Sequence, residues 1–281
     1  MIIWIASYPK SGNTWVRSLI SSYLYSKDGN FNFDLLNNIH QFPQREFFID
    51  YEDKFTKPIS TAKYWLAAQS KINLKKKLIF LKTHNAMLKI DGNVFTNKIN
   101  TLACIYIVRD PRNVITSIKN HFDYTYDESY EFMTNERNIL FHRNTSNFGD
   151  INFIGSWSKN YVSWKSINMF PIKVVRYEDL MSNTYSVFRE IINFLIPLAP
   201  KLIKFDRSRM LKSIKSTSFE KMSNSEDKIG FNEAVISNKT KNKIKFFNLG
   251  EKNRWKDFLD DKQEKKIRET FSEEMKELNY F

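Results

Sequence analysis

Four side chains able to donate a hydrogen bond to an anion, Lys10, Ser11, Asn13 and Thr14, stand within five residues, around a lone Gly12. They separate two segments of different period. Ile2 to Ile5 is a nearly continuous apolar run, the pattern of a strand buried on both faces. From Thr14 onward, Val16, Leu19, Ile20, Tyr23 and Leu24 recur at helical spacing. Tyr8 to Asn13 is the turn between them, punctuated by Pro9 and Gly12. Strand, polar loop and helix form the architecture of a phosphate cradle. The first amides of a helix lack an internal partner, and the helix dipole is positive there. The loop is not a Walker A sequence, in which the lysine follows the second glycine. Lys10 precedes the only glycine, and in that register the Ser/Thr that would hold magnesium has no equivalent. The cradle suits an anionic group, but not an ATP γ-phosphate with its metal.

The rest of the chain has to position this loop. Leu78 to Leu81 reads as a second buried strand and runs into Lys82-Thr83-His84. Leu102 to Val108 reads as a third, ending in Arg109-Asp110-Pro111-Arg112. Asp110 is a good N-cap and Pro111 a good first helical residue, so a helix is expected from 111 to about 122. Residues 171–176 read as a fourth strand, followed by Tyr177-Glu178-Asp179-Leu180. Helices are expected over 61–72 and 128–142, along the Ile154, Trp157, Tyr161, Trp164 stripe, and around Val187, Ile191 and Leu195. A last one should run from Asp261 to about Leu278. Residues 26–60 read as loops with short helical pieces, and 223–245 as polar and irregular.

Strands alternating with helices predict an α/β fold: one domain over residues 1–281, with a mostly parallel central sheet flanked by helices on both faces. Ligands of such sheets sit beyond the carboxyl ends of the strands. Lys10, His84, Arg109 and Tyr177 each lie just past a strand end, so they should converge on one edge. His40, His121 and His142 have no comparable setting and read as surface or core residues.

Bulk properties narrow the class. With 281 residues, 42% of them hydrophobic, a sizeable core is possible. The net charge of +13 favours anionic partners, but Lys and Arg are spread along the chain. The one tight cluster, Lys75-Lys76-Lys77, reads as a solvated helix end. Cys104 is the only cysteine, which excludes an internal disulfide and a cysteine-based metal site, and fits a reducing compartment. No apolar run approaches the ~20 residues that span a bilayer. The first strand starts at residue 2, leaving no room for a leader ahead of it. A soluble, cytoplasmic protein is expected.

The run Tyr8-Pro9-Lys10-Ser11-Gly12-Asn13-Thr14-Trp15 closely resembles the 5′-phosphosulfate loop of the sulfotransferases that use 3′-phosphoadenosine 5′-phosphosulfate (PAPS). Further motifs resemble that family in the same order, over about 1–25, 78–122, 154–220 and 248–260. The resemblance implies a P-loop-like sulfotransferase fold and PAPS as co-substrate. It implies His84 as the base and Lys10 and Lys82 as catalytic cations. Sulfonyl transfer needs a base near the acceptor proton and cations where charge grows. Arg109 and Ser117 resemble the 3′-phosphate pair. Their separation is sensible, since Ser117 returns to the azimuth of the helix start. Trp15 and Tyr177 resemble the adenine contacts, and Thr217-Ser218-Phe219 the segment that closes over the adenine. The family's C-terminal Arg-Lys-Gly-x-x-Gly-Asp-Trp-Lys is only partly kept. Gly250, Trp255 and Lys256 remain, but Asn248-Leu249 replace the Arg-Lys and Asn253 the second glycine. A cation expected on the 3′-phosphate is therefore missing, with Lys252, Arg254 and Arg112 as candidates to supply it.

The implied acceptor is the hydroxyl or amine of a small molecule, glycan or lipid. No metal and no nucleic acid are implied. Segments 26–76, 123–150 and 223–247, which would line an acceptor pocket, do not resemble the family. Two other readings remain open from the residues alone: a P-loop-like nucleotide kinase, and a non-catalytic basic protein that binds anions or nucleic acid.

Overall fold

The computed structural model describes residues 1–52, 54–75, 77–141, 148–237 and 239–281. Its centre is a five-stranded sheet made of β1 (Ile2–Ser7), β2 (His40–Gln41), β3 (Ile79–Thr83), β4 (Thr101–Val108) and β5 (Ile172–Arg176). The spatial order is β2-β3-β1-β4-β5, and every pairing is parallel. The first half of the chain supplies α1 (Asn13–Tyr25), α2 (Trp65–Asn73), α3 (Pro111–Phe122) and α4 (Tyr126–Thr134). Then follow α5 (Trp157–Lys165), α6 (Tyr177–Ser182), α7 (Thr184–Leu195), α8 (Arg207–Ser216) and α9 (Phe219–Ile229). The chain closes with α10 (Asp261–Thr270) and α11 (Ser272–Glu277).

β1 lies in the middle of the sheet, and all six of its residues are buried. Two covered faces demand an unbroken apolar run. Alternate positions still divide between the faces. Trp4, Ala6, Tyr106 and Val108 pack beneath Trp157 and Trp164 of α5 and Met275 of α11. Ile3, Ile5, Ile105 and Ile107 pack against Val16, Leu19 and Ile20 of α1 and Phe188 and Ile191 of α7. The expected parallel sheet, with helices on both faces, is thus the architecture found.

Three helical expectations need correction. The helix expected over 128–142 ends at Thr134. A reciprocal cap between Thr125 and Glu128 starts it, but Ile139–Leu140 leave the helix to pair antiparallel with Asn152–Phe153. Residue 142, and with it His142, lies outside the described residues, as does Lys76 of the lysine cluster. The C-terminal helix breaks at Phe271 (φ −111°, ψ 24°), whose ring is drawn into the core 5.2 Å from that of Trp157. The stretch read as irregular from 223 begins instead inside α9, whose N-cap is Ser218. Among the described residues no helix is long and apolar enough to cross a membrane.

One buried amide ties the core to the sheet edge. Asn160 of α5 donates to the carbonyls of His84 (3.0 Å) and Ile154 (2.8 Å) and accepts from the Tyr106 hydroxyl (2.8 Å). Each buried group left unsatisfied costs about 1–3 kcal/mol. Asn160→Ala should therefore lower stability by about 3 kcal/mol, read as a lower urea midpoint at unchanged slope. A midpoint equal to wild type would show that Asn160 does not hold the strand end.

Candidate active site

β3, β1, β4 and β5 end side by side, and the residues following them share one cavity of about 1030 Å³. Lys10, His84, Arg109 and Tyr177 all line it. The expected convergence is therefore found.

The cradle is built on backbone. Lys10 (φ 65°) and Gly12 (φ 100°) both take left-handed conformations. Position 12 requires glycine for a second reason: a Cβ there would stand 2.4 Å from Cδ2 of Tyr177. No side chain caps α1 and no acid lies in its first turn, so the helix start keeps its positive end. Asn13 locks the loop to its strand, donating to the Ile5 carbonyl (3.0 Å) and to Ser7 Oγ (3.1 Å). Ser11 Oγ and Asn13 Oδ1 are buried without a partner. Ser11 itself is fully buried. Lys10 Nζ sits 3.9 Å from the centre of the Phe246 ring. Burial pulls its pKa down to about 7, helped by Lys82 and Arg109 and opposed by Glu233 and Glu226.

Beside it, His84 Nδ1 lies 2.8 Å from the Ser7 carbonyl and 3.3 Å from Ser7 Oγ. The Nδ1–H donates to the carbonyl, which leaves Nε2 as the basic nitrogen. Burial and the neighbouring Lys82 push the His84 pKa down to about 3, so the ring is neutral. Lys82, only 8% exposed at the side chain, bonds to Glu233 at 3.1 Å. Its pKa is lowered by burial, against the pull of Glu233.

Arg109 donates through Nη1 to the Lys10 carbonyl (3.3 Å) and to Ser117 Oγ (3.2 Å), stacks 4.2 Å over the Tyr177 ring, and keeps a buried Nε without a partner. Asn253 donates to the same Ser117 Oγ at 2.9 Å and accepts from Thr116 Oγ1 at 2.8 Å. The asparagine that stands for the family's second glycine is thus seated beside Arg109 and Ser117. Arg112 is not available to supply the missing cation. Asp110 (2.8 Å) and Glu264 (3.1 Å) hold it, and Trp255 stacks on it at 4.3 Å. Lys252 and Arg254 are exposed.

An aromatic slot completes the cavity. The Trp15 and Tyr177 rings meet edge-on at 5.7 Å. Phe219 lies over Gly250, where a Cβ would come within 2.6 Å of the ring. Ser218 lines the slot and caps α9. Thr217 is fully buried and spends its hydroxyl on the Ser213 carbonyl (2.8 Å), so it props the slot from behind.

Three residues of the site had no signal strong enough to find them. His121 lines the cavity against Phe246 (5.7 Å), and burial lowers its pKa to about 3. It is neither the surface nor the plain core residue expected. Arg17 and Glu233 form a 2.6 Å ion pair beside Lys82. An arginine on the apolar face of α1, three residues after Thr14, was the available clue. His40, by contrast, is exposed next to Glu46.

A parallel sheet with an anion cradle at its carboxyl edge defines a P-loop-like α/β protein. The chain belongs to the sulfotransferase domain family, whose model matches residues 2–279. It is 24% identical over 227 residues to a luciferin sulfotransferase of Photinus pyralis, covering 79% of this chain and 56% of that protein. The chain thus spans little more than half the length of that curated relative. The mouse sulfotransferase SULT7A1, solved with PAP, shares the fold with a TM-score of 0.59 and 20% identity, over 98% of this chain and 84% of its own. A retinol dehydratase solved with retinol and PAP shares it at 0.57 and 17%, over 98% and 81%.

Gly12 links the cradle to the slot, which gives a direct test. A left-handed residue with a Cβ costs about 1–2 kcal/mol, and the methyl group must also displace Tyr177. Gly12→Ala should lose at least about 2 kcal/mol of unfolding free energy. A wild-type midpoint would mean that the loop does not depend on this backbone.

Proposed function

We propose that this chain is a PAPS-dependent sulfotransferase that passes a sulfonyl group to the hydroxyl or amine of a small apolar acceptor and releases adenosine 3′,5′-bisphosphate. The observation that carries this reading is a buried donor without a partner in each of two groups, Ser11 Oγ in the loop of Lys10, Asn13 and Thr14, and Arg109 Nε beside Ser117. Such donors fit phosphate oxygens, which accept several hydrogen bonds each.

When bound, PAPS supplies the activated sulfonyl group. The chain's residues do the rest. Lys10, Ser11, Gly12, Asn13 and Thr14, with the start of α1, hold the 5′ end. Arg109 and Ser117 hold the 3′-phosphate. Trp15, Tyr177, Phe219 and Gly250 enclose the adenine, with Ser218 at the rim and Thr217 behind. His84 accepts the acceptor's proton at Nε2, and the Ser7 carbonyl fixes its tautomer. Lys82 and Lys10 stabilise the charge that develops. The cavity lining also includes Phe122, Phe132, Ile139, Leu140 and Phe141, with Asn138, Asp150 and Asn152 among them, and this suits an alcohol or phenol with an apolar body. The single cysteine is buried, and we place the enzyme in the cytoplasm.

His84→Ala should bind the bisphosphate as wild type does, while transfer to a simple phenol falls by about 10²–10⁴. Calorimetry and a sulfonyl-transfer assay on the same preparation check this, with ATP-magnesium as the control that should not bind. Retained transfer would remove His84 from the chemistry, and wild-type binding of ATP-magnesium in place of the bisphosphate would indicate a kinase.

Lys10 gives a pH test. Its pKa near 7 in the free chain must rise when an anion binds, so affinity is highest below pH 7 and falls as pH rises. The loss approaches about tenfold per unit until the raised pKa of the complex is reached. Between pH 7.5 and 9.5, above the ~6 of a phosphate's second ionisation, binding should take up a proton. Titrations in buffers of different ionisation enthalpy measure this, and Lys10→Met should reduce it. A flat profile would show that Lys10 does not meet the anion.

A further inference from the structure

The most heavily paired acid in the cavity is one the transfer reaction does not use. Glu233 Oε2 accepts from Thr14 Oγ1 at 2.8 Å, and its Oε1 accepts from Arg17 Nη1 at 2.6 Å and from Lys82 Nζ at 3.1 Å. Burial pushes its pKa up, but Lys82 and Arg17 outweigh that and hold the carboxyl well below the usual range. Thr14 and Lys82 are two of the residues placed above on the co-substrate's reactive end. The single hydroxyl hydrogen of Thr14 cannot serve a carboxylate and a phosphate at once, and the charge of Glu233 repels a phosphate placed against Lys82. Arg17 belongs to the same group. It lies three residues after Thr14, on the same helical face. Its side chain is only 7% exposed, and its Nη2 is steadied by the Ile39 carbonyl at 3.1 Å. A buried guanidinium needs an anion beside it.

We propose that Arg17 joins Thr14 and Lys82 as a further anion-binding residue at the 5′ end of the co-substrate. In the free chain Glu233 fills this subsite as an internal stand-in, which binding expels. This rests on the sulfotransferase reading. It assigns Arg17 as a binding residue and makes the stretch around Glu233 a competitor for the site. The segment has anchors that would survive the exchange. The Phe246 and Phe247 amides donate to the two oxygens of buried Glu226, at 2.7 and 2.8 Å. Phe231 packs on Phe33 at 4.6 Å. Only the link between these anchors has to move. Phe246, whose ring covers Lys10, is one of these anchors and stays in place.

The test is a set of affinities for adenosine 3′,5′-bisphosphate. Removing an internal competitor raises the competent fraction, so Glu233→Gln should bind about tenfold tighter than wild type. Adding Arg17→Gln to that variant should weaken binding by at least about tenfold, the loss of a charged contact to a phosphate. Equal or weaker binding by Glu233→Gln would make the carboxylate a plain structural partner. A double variant as tight as Glu233→Gln would remove Arg17 from the subsite. If Glu233→Gln folds poorly, hydrogen exchange on the wild type decides. Amides 232–237 should lose protection when the bisphosphate binds, and unchanged protection overturns the exchange. Should wild type not bind the bisphosphate at all, the sulfotransferase reading fails, and pyrophosphate then tests the subsite alone. A larger melting shift in Glu233→Gln than in wild type supports it, and equal shifts overturn it.

Discussion

The constraint that shapes this molecule is positive charge gathered where water is scarce. Lys10, Arg17, Lys82 and Arg109 come together at the carboxyl edge of the sheet, next to the positive end of α1. Like charges at low dielectric repel, and burial costs each of them solvation. Lys10 shows the consequence, with a pKa near 7. Glu233 offsets part of that cost through its bonds to Arg17 and Lys82. Parallel topology makes the crowding unavoidable, since every strand delivers its following residue to the same edge.

Holding such a cluster takes rigid, neutral supports. Buried asparagines supply them. Asn13 pins the cradle to β1, and Asn160 holds the carbonyl of His84. Asn85 accepts the Phe153 amide at its side-chain Oδ1, and its backbone carbonyl accepts from Trp164 Nε1. Asn160 both donates and accepts, and all three amides add hydrogen bonds without adding charge to a cationic site. The aromatic rings serve the same end, since Phe246 and Tyr177 offer π faces to Lys10 and Arg109.

Four of the five strands and their strand-end residues were legible because buried parallel strands are written as plain apolar runs, and topology then fixes where the next residue goes; β2, only His40–Gln41, lies in a stretch read as loops. The cradle was legible because its donors are contiguous. What depends on distant packing was not. Glu233 reaches Thr14 across more than two hundred positions, and nothing local marks it. His121 reads as one more polar residue at a helix end until Phe246 is folded against it. The 128–142 helix failed because Ile139 and Leu140 satisfy a helical period and a cavity wall equally well, and tertiary pairing chose the second. Phe271 likewise kept its place in the C-terminal apolar stripe and broke the helix to reach Trp157.

The altered C-terminal motif can be understood in the same terms. Asn253 takes the space of a glycine and donates to Ser117, so one neutral donor enters where the family carries Arg-Lys nearby. Arg112 stays with Asp110 and Glu264, which ties α3 to α10. Arg109, Ser117 and Asn253 thereby form one linked group at the cavity, while Arg17 is held by Glu233. The neutral amide of Asn253 adds a hydrogen-bond donor beside Arg109 without adding a further charge to an edge already crowded with cations.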